Sequence, residues 1–152
     1  MNQCLTFQKV GEVDWKTILS IEKECETITF FAYSKEEDCR EYLRNSQVWV
    51  IKLGKKAIGT ISYEEKSSDH AYIDSMTILP EYQRKGFATE AMKWLLLKLK
   101  NYKTVDLVTH PHNNASLRLY LKLGFKISEW KDNYFGDGQP RLHLFLEDKN
   151  IK

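Results

Sequence analysis

The chain has 152 residues and a formal net charge of +2, with 42% apolar and 29% charged side chains. That profile fits one globular domain with a sizeable core, here taken as residues 1–152, and excludes a disordered or low-complexity chain. The longest uncharged apolar run, Trp94 to Leu97, is far too short to cross a bilayer, so no membrane partner is expected.

Elements follow in chain order. Asp14 can cap a helix whose apolar residues Trp15, Ile18 and Leu19 share a face. Ser34 followed by Glu37 forms a capping-box pattern, so a second helix is predicted over Lys35 to Asn45. Val48 to Leu53 and Ala57 to Tyr63 read as strands joined by a hairpin turn at Leu53-Gly54-Lys55-Lys56. Ala71 to Leu79 is a third strand, stopped by Pro80. A helix follows Gly86, with Ala88, Met92, Leu95, Leu96 and Leu99 along one stripe. Val105 to Thr109 is a strand, and Asn114 to Leu123 is a helix ended by Gly124. Phe125 to Trp130 and Leu142 to Leu146 complete the set. The order α-α-β-β-β-α-β-α-β-β predicts an α/β or α+β domain with a mixed sheet, and leaves room for a short extra strand at the N-terminus.

Cys4, Cys25 and Cys39 lack Cys-x-x-Cys spacing, so they read as reduced thiols. His70, His110, His112 and His143 make no zinc pattern, so no metal is expected. Met1 to Val10 has neither the basic start nor the apolar stretch of a signal peptide, and a cytoplasmic location is expected. Charge is unevenly spread. Glu22 to Glu41 holds seven acids (Glu22, Glu24, Glu26, Glu36, Glu37, Asp38, Glu41) against Lys23, Lys35 and Arg40. Arg84 to Lys126 holds nine bases against Glu90 and Asp106. Two solvated faces account for this, as does an anionic ligand on the second half with a cationic one near the first. The lysines of the second half suit a solvated helix face, and no nucleic-acid partner is expected.

The junction Gln83-Arg84-Lys85-Gly86-Phe87-Ala88 is the most informative stretch. A helix start presents unpartnered N–H groups and a positive dipole end, and both suit a phosphate. Gly86 lets the backbone approach a bulky anion, while Gln83, Arg84 and Lys85 add donors at the rim. The stretch therefore reads as a pyrophosphate cradle or as a plain turn. It is no nucleotide P-loop, since no Gly-Lys-Ser/Thr ending follows. Downstream, Asn113, Ser116 and Tyr120 fall at i, i+3 and i+7, on one helical face. They suit a ligand, or equally a helix cap and a core aromatic.

Together the segments resemble the GCN5-related N-acetyltransferase (GNAT) family. Gln83-x-x-Gly86-x-Ala88 matches its acyl-CoA loop, and Asn113, Ser116, Tyr120, Gly124 and Phe125 match its next motif in order and spacing. The resemblance covers Ile58 to Leu146 well and the first two helices in outline. It implies acetyl-CoA as co-substrate and transfer of its acetyl group to an amine. It places the pyrophosphate on backbone N–H groups of Lys85, Gly86, Phe87, Ala88 and Thr89. The strand Met76-Thr77-Ile78 would hold the pantetheine arm, with Asn113 and Ser116 touching the pantetheine or adenosine end.

The resemblance also puts Tyr120 at the general-acid position, protonated at neutral pH and able to donate to the leaving thiolate. Asp74, assigned by strand alternation to the face of Met76 and Ile78, is the candidate base. Leu107-Val108-Thr109 carries no acid, unlike the corresponding strand of some peptide N-terminal acetyltransferases. On the acceptor side the resemblance points to Glu24, Glu26, Phe30 and Phe31, and to Tyr134 and Phe135 as a lid in a loop loosely similar to that of ribosomal-protein-type N-terminal acetyltransferases. The expected reaction is direct acetyl transfer to a primary amine of a small cationic molecule. A protein or peptide amine, or acetyl-CoA binding without catalysis, are the alternatives. The protein is expected to be a monomer or homodimer.

Overall fold

A computed structural model describes residues 3–26 and 33–147. The strands are β1 (Leu5–Val10), β2 (Gln47–Leu53), β3 (Lys56–Ser67), β4 (His70–Ile78), β5 (Thr104–Thr109), β6 (Lys126–Lys131) and β7 (Arg141–Leu146). The helices are α1 (Trp15–Cys25), α2 (Glu36–Asn45), α3 (Phe87–Lys98) and α4 (Asn114–Lys122). The mixed α/β architecture and the order of elements are as expected, and the extra N-terminal strand is present as β1. No described helix is long and apolar enough to cross a membrane.

One seven-stranded sheet runs β1-β2-β3-β4-β5-β7-β6, with β4 and β5 parallel and all other neighbours antiparallel. Each face has its own core. On the first face, Met92, Leu95, Leu96 and Leu99 of the α3 segment pack on Ile61, Ile73, Val105, Leu107 and Leu144, with Tyr120 of α4 and Phe125. On the second, Ile18, Ile21 and Cys25 of α1 and Cys39, Tyr42 and Leu43 of α2 pack on Val48 and Val50. Burying these apolar stripes is what fixes the helices to the sheet.

Two expected caps are not used. The Asp14 side chain accepts from the Gly11 backbone N–H at 2.9 Å, bracing the 3-10 turn Glu12–Asp14 ahead of α1. Lys35, not Ser34, is the N-cap of α2, with no side-chain cap bond. The acids Glu36, Glu37 and Asp38 in its first turn favour that end instead. The stripe of α1 is also shifted, since Trp15 and Leu19 are half-buried while Ile18, Ile21, Glu22 and Cys25 are buried.

The pairing of β3 with β4 carries two features that shape the site. Between Ser62↔Ser75 and Glu64↔Tyr72 the register slips by one residue, placed on β4. This bulge reverses the alternation. Asp74 consequently faces α2 on the second side, whereas Met76 and Ile78 pack with the α3 core. The expected common face of these three residues is thereby corrected. Second, β3 approaches β4 so closely that a Cβ at Gly59 would stand 2.0 Å from the Thr77 carbonyl oxygen. Gly59→Ala must part the strands, and a loss of roughly 2–3 kcal/mol is expected in urea unfolding. An unchanged unfolding midpoint would show that the strands separate there without cost.

At the far side of the sheet, Asp106 of β5 accepts from two imidazoles. His70 Nε2 of β4 lies 2.6 Å away and His143 Nε2 of β7 2.8 Å away. This clasp joins three strands. Asp106 lies just outside Leu107-Val108-Thr109, which carries no acid, and both of its oxygens are engaged by histidine.

Candidate active site

β4 and β5 share only three register pairs, His70↔Thr104, Ala71↔Val105 and Tyr72↔Asp106. Past Tyr72 they diverge, and β4 has no ladder partner on its β5 side. Two cavities occupy the gap.

The larger, about 380 Å³, is lined by Met76, Thr77, Ile78, Gln83, Arg84, Gly86, Phe87, Ala88, Thr89, Asn113 and Ser116, with Cys25, Tyr82, Ala115 and Leu119. Its floor is the start of α3. Gly86 is the N-cap at φ +85°, a left-handed conformation suited to glycine, and a Cβ there would project into open space. The first amide to close a helical bond is Glu90, onto the Gly86 carbonyl at 3.1 Å. The N–H groups of Phe87, Ala88 and Thr89 therefore point out of the helix end, without intrahelical acceptors. Gln83 Nε2 donates to the Ile78 carbonyl at 2.9 Å and ties the loop to the end of β4. Lys85 is not among the lining residues; its ammonium sits 5.8 Å from the ring centre of Tyr82.

The smaller cavity, about 80 Å³, is lined by Ile73, Asp74, Ser75, Met76, Leu107, Val108, Thr109, His110, Asn113, Ser116, Tyr120, Phe135 and Arg141. Tyr120 belongs to the first face, while Asp74 lies on the second. The gap is thus a passage through the sheet, with a phenol at one mouth and a carboxylate at the other.

Tyr120 is buried, and desolvation raises its pKa to about 12, pulled back somewhat by the Ser116 hydroxyl one turn earlier. The Asn113 side chain accepts from the Ser116 backbone N–H at 3.3 Å, so Asn113 caps α4 as well as lining both cavities. Asp74 receives the Ser46 hydroxyl on one oxygen and the Ser62 hydroxyl on the other. Tyr42 of α2 donates in turn to Ser62. Burial lifts the Asp74 pKa to about 6, and the two serines oppose the rise.

The smaller cavity lies beside the loop 132–140. Phe135 lines the cavity, and Tyr134 contacts the Tyr72 hydroxyl at 3.4 Å. Asn133 and Asp137 hold the loop through the Gly138 and Gln139 N–H groups. Arg141, 2% exposed, donates to Asp137 at 2.9 Å and to the Pro140 carbonyl at 3.0 Å, and its guanidinium faces the Phe135 ring. Its charge is therefore already paired. Phe30 and Phe31 lie outside the described residues. Glu24 and Glu26 are exposed and line neither cavity.

Glu22, Ser46, Ser62, Tyr72 and Arg141 went unnoticed in the sequence as site residues. Glu22 is 1% exposed, and burial raises its pKa to about 8 against the pull of the Tyr33 backbone N–H. Cys25 and Cys39 have thiol pKa values raised to about 11 by burial, so neither is an activated nucleophile.

Residues 15–125 match the family model for the acetyltransferase (GNAT) family. The chain belongs to that family. This acetyltransferase is 37% identical over 79 residues to YafP, an uncharacterised N-acetyltransferase of Escherichia coli K12, over 52% of the present chain and 49% of YafP. The chain thus matches about half the length of that relative. Among solved structures, the ribosomal-protein-S18-alanine N-acetyltransferase of Escherichia coli superposes with a TM-score of 0.80 at 20% identity, covering 94% of this chain and 93% of that one. A GNAT acetyltransferase from Elizabethkingia anophelis, with acetyl-CoA bound, gives 0.75 at 19% identity, covering 95% and 98%. In this acetyltransferase the outward N–H groups at the start of α3, the open space beside Gly86 and the unpaired edge of β4 fit a pyrophosphate and an extended amide-bearing arm.

Proposed function

We propose that the chain, as a single domain, is an acetyl-CoA-dependent N-acetyltransferase acting on the primary amine of a small cationic molecule. The observation that carries this reading is the passage itself. Tyr120 and Asp74 line one cavity that connects with the α3 cradle through Met76, Asn113 and Ser116.

The residues divide the work by face. Backbone N–H groups of Phe87, Ala88 and Thr89 hold the pyrophosphate, with Arg84 at the rim. The free edge of Met76 to Ile78 receives the pantetheine amides and steers the thioester into the gap. The acceptor enters from the second face. An alkyl ammonium has a pKa of about 10 and must lose a proton before it attacks. Asp74 stands on that side and takes it. The amine nitrogen then bonds to the thioester carbon, the carbon–sulfur bond breaks, and Tyr120 donates to the departing sulfur. Asp74 supplies the negative charge expected for a cationic acceptor, because Arg141 is neutralised by Asp137.

The test is release of CoA thiol from acetyl-CoA with linear polyamines, amino sugars, amino acids and short peptides, each with a no-acceptor control. Release with the linear amines supports this reading. Release with peptides alone would make the protein a peptide N-acetyltransferase.

A further inference from the structure

Away from the two cavities, one chain of side chains has the order of a nucleophile, a base and an acid. Ser128 is exposed on β6, an edge strand of the sheet. Its hydroxyl donates to His143 Nδ1 on β7 and also lies 3.2 Å from the His143 carbonyl oxygen. The other ring nitrogen, His143 Nε2, donates to Asp106 Oδ2 on β5 at 2.8 Å. Asp106 is held in turn, because His70 Nε2 reaches its second oxygen at 2.6 Å. None of these four residues lines either cavity, and the acetyl transfer described above uses none of them.

The placement of the serine has a local cause. The register of β6 on β7 slips between Ile127↔Leu144 and Glu129↔His143, so Ser128 is the extra residue of a bulge. A bulge takes one residue out of the ladder and re-aims its side chain. Here the hydroxyl turns onto the imidazole of His143. The Asp106 and His143 side chains are 13% and 20% exposed, so their contact is largely shielded while the serine faces solvent. An ionised carboxylate can only accept. Nε2 of His143 therefore carries the hydrogen, and Nδ1 presents its lone pair to the serine. A serine on an imidazole that is itself oriented by a carboxylate is the arrangement that activates a serine nucleophile. In serine proteases the acid holds Nδ1 and the serine meets Nε2. Here the two nitrogens exchange roles, and the proton path is unchanged.

We propose that Ser128 is the nucleophile of a second, surface site that hydrolyses unhindered esters of small carboxylic acids, with His143 as its base. The proposal does not depend on the acetyltransferase reading. Ser128 Oγ bonds to the ester carbonyl carbon as its proton passes to His143 Nδ1. The bond from that carbon to the alcohol oxygen breaks, and the alcohol departs with the proton. Water then attacks the acyl-serine, gives a proton to His143, and releases the carboxylic acid with the serine restored. Asp106 is a positioning residue that holds the ring and offsets the imidazolium charge, and His70 fixes the carboxylate. No strand lies beyond β6, so its outward main-chain N–H groups are donors of the kind an oxyanion needs. Ser128 is exposed and lines neither cavity, so substrates are selected by access rather than by fit.

The test treats the whole chain with a fluorophosphonate, whose phosphorus takes the serine oxygen as fluoride leaves, and maps the label by peptide mass spectrometry. Label is expected on Ser128 in wild type. It should be absent in Ser128→Ala, which should unfold at the wild-type temperature because the residue is exposed. His143→Gln should label about 100-fold more slowly, as loss of a general base requires. Asp106→Asn should slow labelling by a similar factor through the wrong tautomer, and Asp106→Glu should recover part of the loss. Wild type should also hydrolyse p-nitrophenyl acetate at least about tenfold faster than Ser128→Ala, through an acetyl group on Ser128. No label on Ser128, or equal labelling rates in wild type and His143→Gln, would overturn the assignment. Equal ester hydrolysis by wild type and Ser128→Ala would overturn the esterase activity.

Discussion

Replacing Tyr120 by phenylalanine is expected to lower kcat by about 100-fold while leaving acetyl-CoA affinity within about twofold. The low end of the range for general acids is chosen for a physical reason. A phenol held at a pKa of about 12 is a weaker acid than a thiol, at about 8.5. Full transfer to a finished thiolate is uphill, so the hydroxyl contributes by donating as the carbon–sulfur bond stretches. The ring stays, and with it the packing against Phe125 at 5.9 Å between centroids. Stability should therefore change little. Steady-state kinetics with a separate acetyl-CoA titration decides the matter. Equal losses in turnover and acetyl-CoA binding would make Tyr120 a binding or packing residue.

Asp74→Asn should reduce kcat by about 100-fold or more, because the asparagine keeps the serine contacts but cannot take a proton. In wild type, kcat should rise with pH through about 6, where Asp74 loses its proton. No falling limb is expected below about pH 12, where Tyr120 ionises. The rise near 6 should vanish in the variant. A rise that persists unchanged would assign the base elsewhere, and one that moved to about 8 would assign it to Glu22. The stability effect has the opposite sign to that of an ordinary surface carboxylate. The folded-state pKa of Asp74 lies above its usual 3.8, so the folded chain holds the proton more tightly than the unfolded one. The cost of the buried charge is absent below about pH 4, grows as pH rises through 6, and persists above it. At pH 8 the variant should be at least as stable as wild type in thermal unfolding.

The sequence signals for the segments that line the larger cavity are local. A glycine at φ +85° before an amphipathic helix, and three polar residues on one face of the next helix, are short-range patterns. The structure gathers both around one cleft. The surroundings of Asp74 depend on contacts between distant residues, which local patterns do not encode. Ser46 and Ser62 reach Asp74 across 28 and 12 positions. The sequence mark of the bulge is small: Ala71, Ile73, Met76 and Ile78 all pack with the same core, so the apolar spacing widens from two to three across Asp74 and Ser75. Glu22 was passed over as one acid of an acidic run, although it stands at i+7 from Trp15, i+4 from Ile18 and i+3 from Leu19, on the stripe from which α1 was read. The buried set Ile18, Ile21, Glu22 and Cys25 is rotated from that stripe by only roughly 60° at 3.6 residues per turn, and α1 packs against α2 as well as the sheet. Asp14 and Ser34 had the chemistry of caps, yet neither makes a side-chain cap bond: Asp14 stands at the N-cap of α1 but accepts from Gly11, and the N-cap of α2 falls one residue on, at Lys35.

Only three residue pairs join β4 to β5, and this has a consequence for how the molecule is held together. The sheet is two panels, β1 to β4 and β5 with β7 and β6, meeting at a seam that is stitched at one end. The His70–Asp106–His143 clasp lies at the stitched end; towards the other, β4 has no strand partner on its β5 side. A guest with amide groups of its own, laid along that seam, supplies the missing rungs. With such a guest in place the sheet would be partly made of something the chain does not encode, and a piece of its secondary structure would form and dissolve as the guest comes and goes.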